Sequence, residues 1–186
     1  GVLDSERFNL LRGLDFFAGF GDVELWEVVH RAKWQRFNFG HALYKKGQEG
    51  RNFYLIAQGG VEVFRDGNKV AALGKGASVG EMAYLAPSAE LRLHQADVIV
   101  SQTCTTISFN PEALAQLSAG TRHRFDDAFI KVLVRRLHAA HEALGANQVD
   151  RTRHQERLDP HVHQAADRTG GIVRVQRGHH EVARQS

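Results

Sequence analysis

The sequence predicts a mostly β domain with flanking α-helices, of the double-stranded β-helix or jelly-roll barrel kind. Apolar residues recur at helical spacing at the start of the chain, at a period of two in the middle, and at helical spacing again later. The middle part holds many short apolar runs with glycine at the corners between them. Such a pattern favours a barrel or sandwich over a parallel sheet.

Residues 1–33 are predicted to be helical. Phe8, Leu11 and Leu14 recur at helical spacing, and a second helix fits the stretch from Asp22 to Ala32. The sequence therefore predicts a helical segment before the first strand.

Residues 34–110 are predicted to form the barrel, from about eight short strands. The stretch 60–65 alternates apolar and other residues, and 105–109 is β-branched and alternating. The pair Asp66-Gly67 lies between two such runs and is a strong hairpin signal. Residues 80–98 interrupt the alternation, which predicts an insert between strands.

Residues 111–146 are predicted to form two C-terminal helices. Asn110 suits the N-cap of the first, with Pro111 in its first turn. The second is predicted from Arg122 to Leu144, with Gly145 closing it. Its apolar stripe favours packing or a homodimer seam through residues 122–144; the stripe comprises Phe125, Phe129, Val132, Leu133, Leu137, Ala140 and Leu144.

Residues 147–186 are expected to be disordered or non-native. From Gln148 onward this stretch has seven arginines, no lysine, five histidines and few large apolar residues. The chain also begins at Gly1 rather than Met, which indicates a fragment or a tag scar.

Composition excludes several classes of protein. The formal charge of +3 is too small to argue for direct nucleic-acid binding. No apolar run approaches the roughly 20 residues that span a bilayer, and no signal peptide is visible, so a cytoplasmic protein is expected. The single cysteine, Cys104, allows no internal disulfide, and a packed thiol is its expected role.

The insert carries the most informative motif, Gly80-Glu81-Met82-Ala83-Tyr84-Leu85. Only about one helical turn fits before Pro87. A short helix offers free N–H groups to a phosphate, and glycine lets the backbone approach closely. A neighbouring carboxylate can accept hydrogen bonds from a ribose hydroxyl.

This stretch resembles the phosphate-binding cassette of the cyclic nucleotide-binding domain family. Residues 54–63 resemble the family's "YLI..G.V.V" strand pair, 73–81 resemble "L..G..FGE", and Ala96-Asp97-Val98 resembles the "A-T-V" that opens the next strand. Lys46-Gly47-Gln48 resembles the turn before the strand pair. The resemblance covers roughly residues 10–144.

The resemblance implies a non-catalytic regulatory domain that binds a cyclic mononucleotide, with cAMP preferred over cGMP and no other cofactor. Glu81 would bind the ribose 2′-hydroxyl, and its neighbours would offer backbone groups to ribose and phosphate. The implied ligand-binding residues are Gly80, Glu81, Met82, Ala83, Arg92, His94 and Ala96. Phe129, Leu133 and Leu137 would be lid candidates, because the corresponding family helix often closes over the base.

The resemblance further implies a fragment of a larger bacterial signalling protein, whose effector lies elsewhere. A kinase or phosphatase is a candidate effector. No helix-turn-helix follows Leu144, so direct DNA binding is not expected.

The phosphate end departs from the family pattern. His94 stands where family members usually place an arginine, and a histidine is mostly neutral near pH 7. Arg92 would lie on the same face as His94 if the stretch is extended, and could replace that arginine. Asp97 would repel a phosphate if it points inward. The alternative is a domain that has lost nucleotide binding and serves dimerisation or docking.

Each of these residues also has a purely structural interpretation. Glu81 could cap a turn, Arg92 could be a solvated strand charge, and His94 could be a packed residue. Met82 and Tyr84 could equally belong to the core.

Enzyme and metal motifs are weaker. Gly76-Ala77-Ser78-Val79-Gly80 matches the G-x-S-x-G nucleophile elbow, but that motif needs a long following helix in an α/β sheet. Gly74-x-Gly76 with Gly80 fails the G-x-G-x-x-G spacing. His138 and His141 could share a metal, but no third ligand has convincing spacing. No metal site is expected.

Overall fold

The computed structural model describes residues 2–158. Three helical pieces precede the sheet: α1 (Val2–Arg12), a 3₁₀ turn (Asp15–Phe17) and α2 (Asp22–Arg31). Leu11 of α1 and Leu14, which precedes the 3₁₀ turn, are buried as the helical spacing predicts. In α2 the buried residues are Leu25, Val28 and Val29.

Six antiparallel strands form the sheet. They are β1 (Lys33–Phe37), β2 (Ala42–Tyr44), β3 (Phe53–Arg65), β4 (Asn68–Leu73), β5 (Ser78–Val79) and β6 (Asp97–Phe109). The main path is β1-β6-β3-β4, with β2 paired to β6 and β5 paired to β3. A β architecture with helices before and after it confirms the predicted fold class.

The strands are fewer and longer than predicted, because two pairs of short runs merge. β3 and β6 each have 13 residues and stay paired through register shifts between Ile56 and Val61. Gly59 has φ 85, and a Cβ there would overlap the Thr103 carbonyl and Cys104. Glycine therefore lets β3 bend against β6 where the sequence suggested a turn.

The predicted hairpin at Asp66-Gly67 is confirmed. Asp66 has φ 51 and Gly67 has φ 80, so both central residues are left-handed, as a type I′ turn requires. Arg65 pairs with Asn68 on either side of it.

The two faces of the long strands serve two hydrophobic cores. Leu55 and Ile107 pair and join the core shared with the helices. Ile56 belongs to the second core, within the barrel, and its partner Thr106 shares its face. The period of two along each strand separates the cores.

Up to Leu158, where the described residues end, two helices follow the sheet: α4 (Pro111–Ala115) and α5 (Ala119–Leu158). The Asn110 side chain accepts the Ala113 N–H at 2.8 Å, so the predicted N-cap is confirmed. Of the described residues, those up to Val132 form one compact unit and those from Leu133 to Leu158 belong to another.

Helix α5 does not end at Gly145 as predicted, and residues 147–158 are helical rather than disordered. A glycine inside a helix costs only about 1 kcal/mol relative to alanine, and the helix-forming residues that follow sustain the helix. The prediction for the rest of the tail falls on residues 159–186, outside the described residues.

Within residues 2–158, no helix is long and apolar enough to cross a membrane.

Candidate functional site

Gly80 sets the geometry at the start of the insert. It follows β5 with φ 84, and a Cβ at this position would lie 2.5 Å from the Asn52 carbonyl oxygen. Both the left-handed backbone and the close approach exclude a larger residue. The chain then turns directly into α3 (Glu81–Leu85), and Tyr84 N–H donates to the Gly80 carbonyl at 3.0 Å. The one-turn helix predicted before Pro87 is present.

The residues of α3 divide between the interior and the surface. Glu81 and Ala83 are buried, and the Glu81 side chain is only 2% exposed. Met82 is 66% exposed. A carboxylate is thus held inside the fold, at the first turn of a helix that follows a glycine fixed against Asn52.

His94 is packed against an aromatic ring that the sequence did not single out. Its imidazole stacks on Tyr44 of β2, with ring centroids 3.6 Å apart and planes 8° apart. A Cβ on Gly50 would overlap His94 Nε2, so the ring lies against the bare backbone of Gly50. Burial lowers the pKa of His94, which keeps the ring neutral near pH 7.

Tyr44 links His94 to Gly80. The Tyr44 Cε1 atom lies 3.7 Å from the position of a Cβ on Gly80. The ring therefore lies between the histidine and the glycine turn, and the residues predicted at the two ends of the site adjoin it. Nothing in the alternation of β2 marks Tyr44 as functional, because only the fold brings it to Gly80.

Arg92 does not lie on one strand face with His94, because the stretch that contains it is not extended. It ends a 3₁₀ turn (Glu90–Arg92), and its carbonyl accepts the Gly50 N–H at 3.1 Å. This 3₁₀ turn takes the place of the extended backbone that would have put Arg92 on the same face as His94. The Arg92 side chain is half-buried.

Asp97 has a structural partner. Its Oδ1 atom accepts the Lys46 main-chain N–H at 2.7 Å, which ties the start of β6 to the turn after β2. The Asp97 carboxylate therefore accepts a hydrogen bond from a backbone amide of the protein. The neighbouring Ala96, predicted as a ligand contact, is buried.

Tyr84 joins α3 to the helical core. Its ring stacks on Phe129 of α5, with centroids 5.1 Å apart, and also contacts Phe53 of β3. Burial, with the charges of Asp126 and Glu112, raises the pKa of Tyr84 to about 12. Tyr84 thus connects the insert with the first part of α5.

The three lid candidates, Phe129, Leu133 and Leu137, differ in their surroundings. Phe129 is 5% exposed and packs among the rings of Phe16, Phe53 and Phe125, so in this conformation it is a core residue. Helical spacing placed Phe129 in an apolar stripe, but the stripe alone could not say what it packs against. Leu133 and Leu137 belong to the second unit and are 36% and 73% exposed.

Other motifs show no site geometry. Ser78 of the G-x-S-x-G motif is buried in β5, and the helix after it has one turn. Among the described residues, no three His, Cys, Asp or Glu side chains are arranged to hold a metal. His138 instead pairs with Glu142 at 3.2 Å.

Comparison with protein families gives a match over residues 34–120, to the family described as the cyclic nucleotide-binding domain. The match covers the barrel, the Gly80 turn and the start of the C-terminal helices.

A curated relative is the cAMP-dependent protein kinase regulatory subunit of Yarrowia lipolytica, 33% identical over 109 residues. The alignment covers 56% of this chain and 28% of that protein, so the chain spans under a third of this relative.

Two solved structures have a fold similar to that of this chain. A cyclic nucleotide-binding domain from Methylobacillus flagellatus has a TM-score of 0.63 at 19% identity, covering 76% of this chain and 82% of that one. The regulatory subunit of a cAMP-independent protein kinase A from Trypanosoma brucei has a TM-score of 0.58 at 21% identity, covering 69% and 45%.

Proposed function

We propose that this domain senses a cyclic mononucleotide, cAMP in preference to cGMP, and relays its binding through the C-terminal helices. The observation that carries the proposal is the Gly80 turn, which holds the buried Glu81 carboxylate at the first turn of α3 inside the family's matched region. A regulatory subunit named as cAMP-dependent matches the chain at 33% identity. That name supports the choice of nucleotide.

Glu81 would accept hydrogen bonds from the ribose 2′-hydroxyl. The backbone N–H groups at the start of α3 would face the cyclic phosphate, where the dipoles of the turn favour an anion. Arg92 would supply the positive charge, since the pKa of His94 is lowered and its ring is packed. The site would thus hold its ligand mainly through the Gly80 end.

The relay would start at α3. A ligand on Gly80, Met82 and Ala83 would move this one-turn helix, and Tyr84 would pass the displacement to Phe129 through their stacked rings. Because α5 runs on from Phe129, a small shift of α3 would reorient that helix. The output would be a changed contact with an effector.

The domain itself would carry out no reaction. The effector would lie outside this chain. A kinase is the candidate that the relative's name suggests, and a phosphatase is the other candidate that the sequence resemblance implies. The proposal places the domain in the cytoplasm and needs neither a metal nor another cofactor.

Isothermal titration calorimetry with cAMP and cGMP tests the proposal. We expect a dissociation constant on the order of 1 μM for cAMP, equivalent to about −8 kcal/mol. Glu81→Ala should weaken binding by at least about tenfold, or about 1.4 kcal/mol, because the ribose loses its acceptor. Arg92→Ala should also weaken it, because the phosphate loses its cation.

Glu90→Ala is the matched control, because Glu90 is an exposed carboxylate in the same insert. It should leave the dissociation constant unchanged. If the folded protein shows no heat of binding with either nucleotide, the sensor proposal is wrong.

The second candidate function is dimerisation or docking without nucleotide. The stacked pair Tyr44–His94 favours it, because a packed neutral ring stands where an arginine would grip a phosphate. The second unit also exposes Leu137 at 73% and Leu144 at 64%, as a dimer seam would. Sedimentation equilibrium of the wild type and of Leu137→Asp tests this seam, and a wild-type monomer at high concentration contradicts it.

A further inference from the structure

Glu27 of α2 is hydrogen-bonded to the start of α5 by three donors. Its carboxylate accepts the Ser118 main-chain N–H at 2.6 Å, the Ser118 hydroxyl at 2.8 Å and the Thr121 hydroxyl at 2.6 Å. These residues are more than 90 positions from Glu27 in the sequence. One carboxylate of an N-terminal helix thus accepts hydrogen bonds from groups at the beginning of the C-terminal helix.

The position suits a carboxylate. The first N–H groups of a helix lack partners within it, and the positive end of the helix dipole favours a negative charge. Burial alone would raise the pKa of Glu27, but hydrogen bonds from Thr121 and Ser118 and the charge of Arg31 hold it below its usual value. Glu27 is therefore ionised at neutral pH.

The remaining contacts between the N-terminal helices and α5 are less specific. Phe16 and Phe20 meet Phe125 through ring faces and edges, which allow small sliding. The nearby Arg124–Glu24 ion pair spans 3.1 Å, but its arginine is 45% exposed, and exposed pairs contribute little. The three hydrogen bonds to Glu27, by contrast, are directional and converge on one partly buried carboxylate.

We propose that Glu27 is a positioning residue that anchors the first turn of α5 to α2, so that α5 pivots at Ser118 when α3 moves. The pivot's use in signalling rests on the proposed function, whereas the anchor itself does not. α2 and the first turn of α5 then form one body, and the stack of Tyr84 on Phe129 acts on α5 beyond that fixed point.

Native-state hydrogen exchange on the free protein tests the anchor. In the wild type, the amides of α2 and of residues 122–125 should share one opening free energy and one denaturant dependence. Glu27→Gln keeps the size of the side chain but removes its charge. In this variant the two sets of amides should differ in opening free energy and in denaturant dependence. A purely structural contribution would lower the protection of both sets together, so the separation is specific to positioning.

Glu24→Gln is the matched control, since it removes a carboxylate from the same helix that contacts α5 through an exposed pair. It should leave the two sets of amides opening together. Sets that already differ in the wild type, or that stay together in Glu27→Gln, would overturn the anchor.

A second arm adds saturating cAMP. The change in exchange at α3 should persist in Glu27→Gln, whereas the change at α2 should be lost. An unaltered response at α2 would also overturn the anchor. If no nucleotide binds, the proposed function fails, and the free-protein measurement still decides the role of Glu27.

Discussion

The two ends of the candidate site are built in different ways. At one end, the backbone of Gly80 packs directly against the backbone of Asn52: a Cβ added at Gly80 would lie only 2.5 Å from the Asn52 carbonyl oxygen. The buried Glu81 follows this glycine. At the other end, His94 is held by side-chain packing on Tyr44 and by the absence of a side chain at Gly50. Backbone geometry tolerates no substitution, whereas a packed ring can be exchanged if its neighbours adjust. The Gly80 end should therefore be the more sensitive of the two.

Gly80→Ala should have the largest effect. Alanine would have to adopt a left-handed backbone, at about 1–2 kcal/mol, and would overlap the Asn52 carbonyl, at about 1–3 kcal/mol more. We expect urea unfolding to show the free energy of unfolding falling by the sum of both costs. We also expect cAMP to give no thermal shift.

Gly76→Ala separates the two costs. Gly76 has φ 89, but nothing lies within 4 Å of an added Cβ, so only the left-handed cost of about 1–2 kcal/mol should appear. Equal losses in the two variants would mean that the Asn52 contact contributes nothing.

Gly50→Ala should have the next largest effect, about 1–3 kcal/mol of stability, because the new methyl group meets the His94 ring. In a His94→Ala background the same substitution should cost far less, since the ring is gone. A double-mutant cycle measured by urea unfolding gives the coupling energy. Additive losses would show that His94 is not held by Gly50.

His94 should also make stability depend on pH. Its pKa is lowered in the folded protein, whereas an unfolded histidine titrates near about 6.5. The unfolded state therefore binds the proton more readily. The contribution is fully present above about pH 6.5 and is lost as pH falls from there toward the folded pKa.

His94→Gln is the comparison for this titration, because glutamine does not ionise in this range. Between pH 7 and pH 5 the wild type should lose more stability in urea unfolding than this variant does. Parallel pH profiles would contradict a buried neutral His94.

Thr106→Val should have the smallest effect and the opposite sign. Thr106 lies in the barrel with 0% exposure, and its Oγ1 atom has no hydrogen-bond partner among the described residues. Valine has the same shape without the hydroxyl, so unfolding should become harder by about 1 kcal/mol. Thr105→Val, at the half-buried neighbour, should change little, and a destabilised Thr106→Val would reveal a partner for the hydroxyl.

Local patterns predicted much of the fold. Alternation located the β runs, Asp66-Gly67 located a hairpin, and Asn110-Pro111 located a helix start, because each rests on neighbours in the sequence. Alternation did not predict that β3 continues through Gly59, since the bend depends on β6 lying against it. Gly145 was misread as a helix end because glycine only weakens a helix and does not end it.

The candidate site, too, has parts that local sequence predicts and parts that distant contacts decide. The motif from Gly80 to Leu85 and its short helix were visible in the sequence, because the glycine, the carboxylate and Pro87 act on adjacent residues. The surroundings of Arg92, Asp97 and Phe129 were not visible. Arg92 ends a 3₁₀ turn instead of lying on an extended strand, Asp97 accepts a hydrogen bond from Lys46 across the fold, and Phe129 lies in the aromatic core.

The sequence by itself determined that this chain forms a barrel with helices and a glycine-led cassette, since periodicity and turn chemistry act over a few residues. Only the tertiary structure decided which side chains surround that cassette. Tyr44 beside His94, Asn52 against Gly80, and Glu27 at the head of α5 are contacts between distant segments. Their geometry follows from packing, in which each side chain is positioned by neighbours that no local pattern specifies.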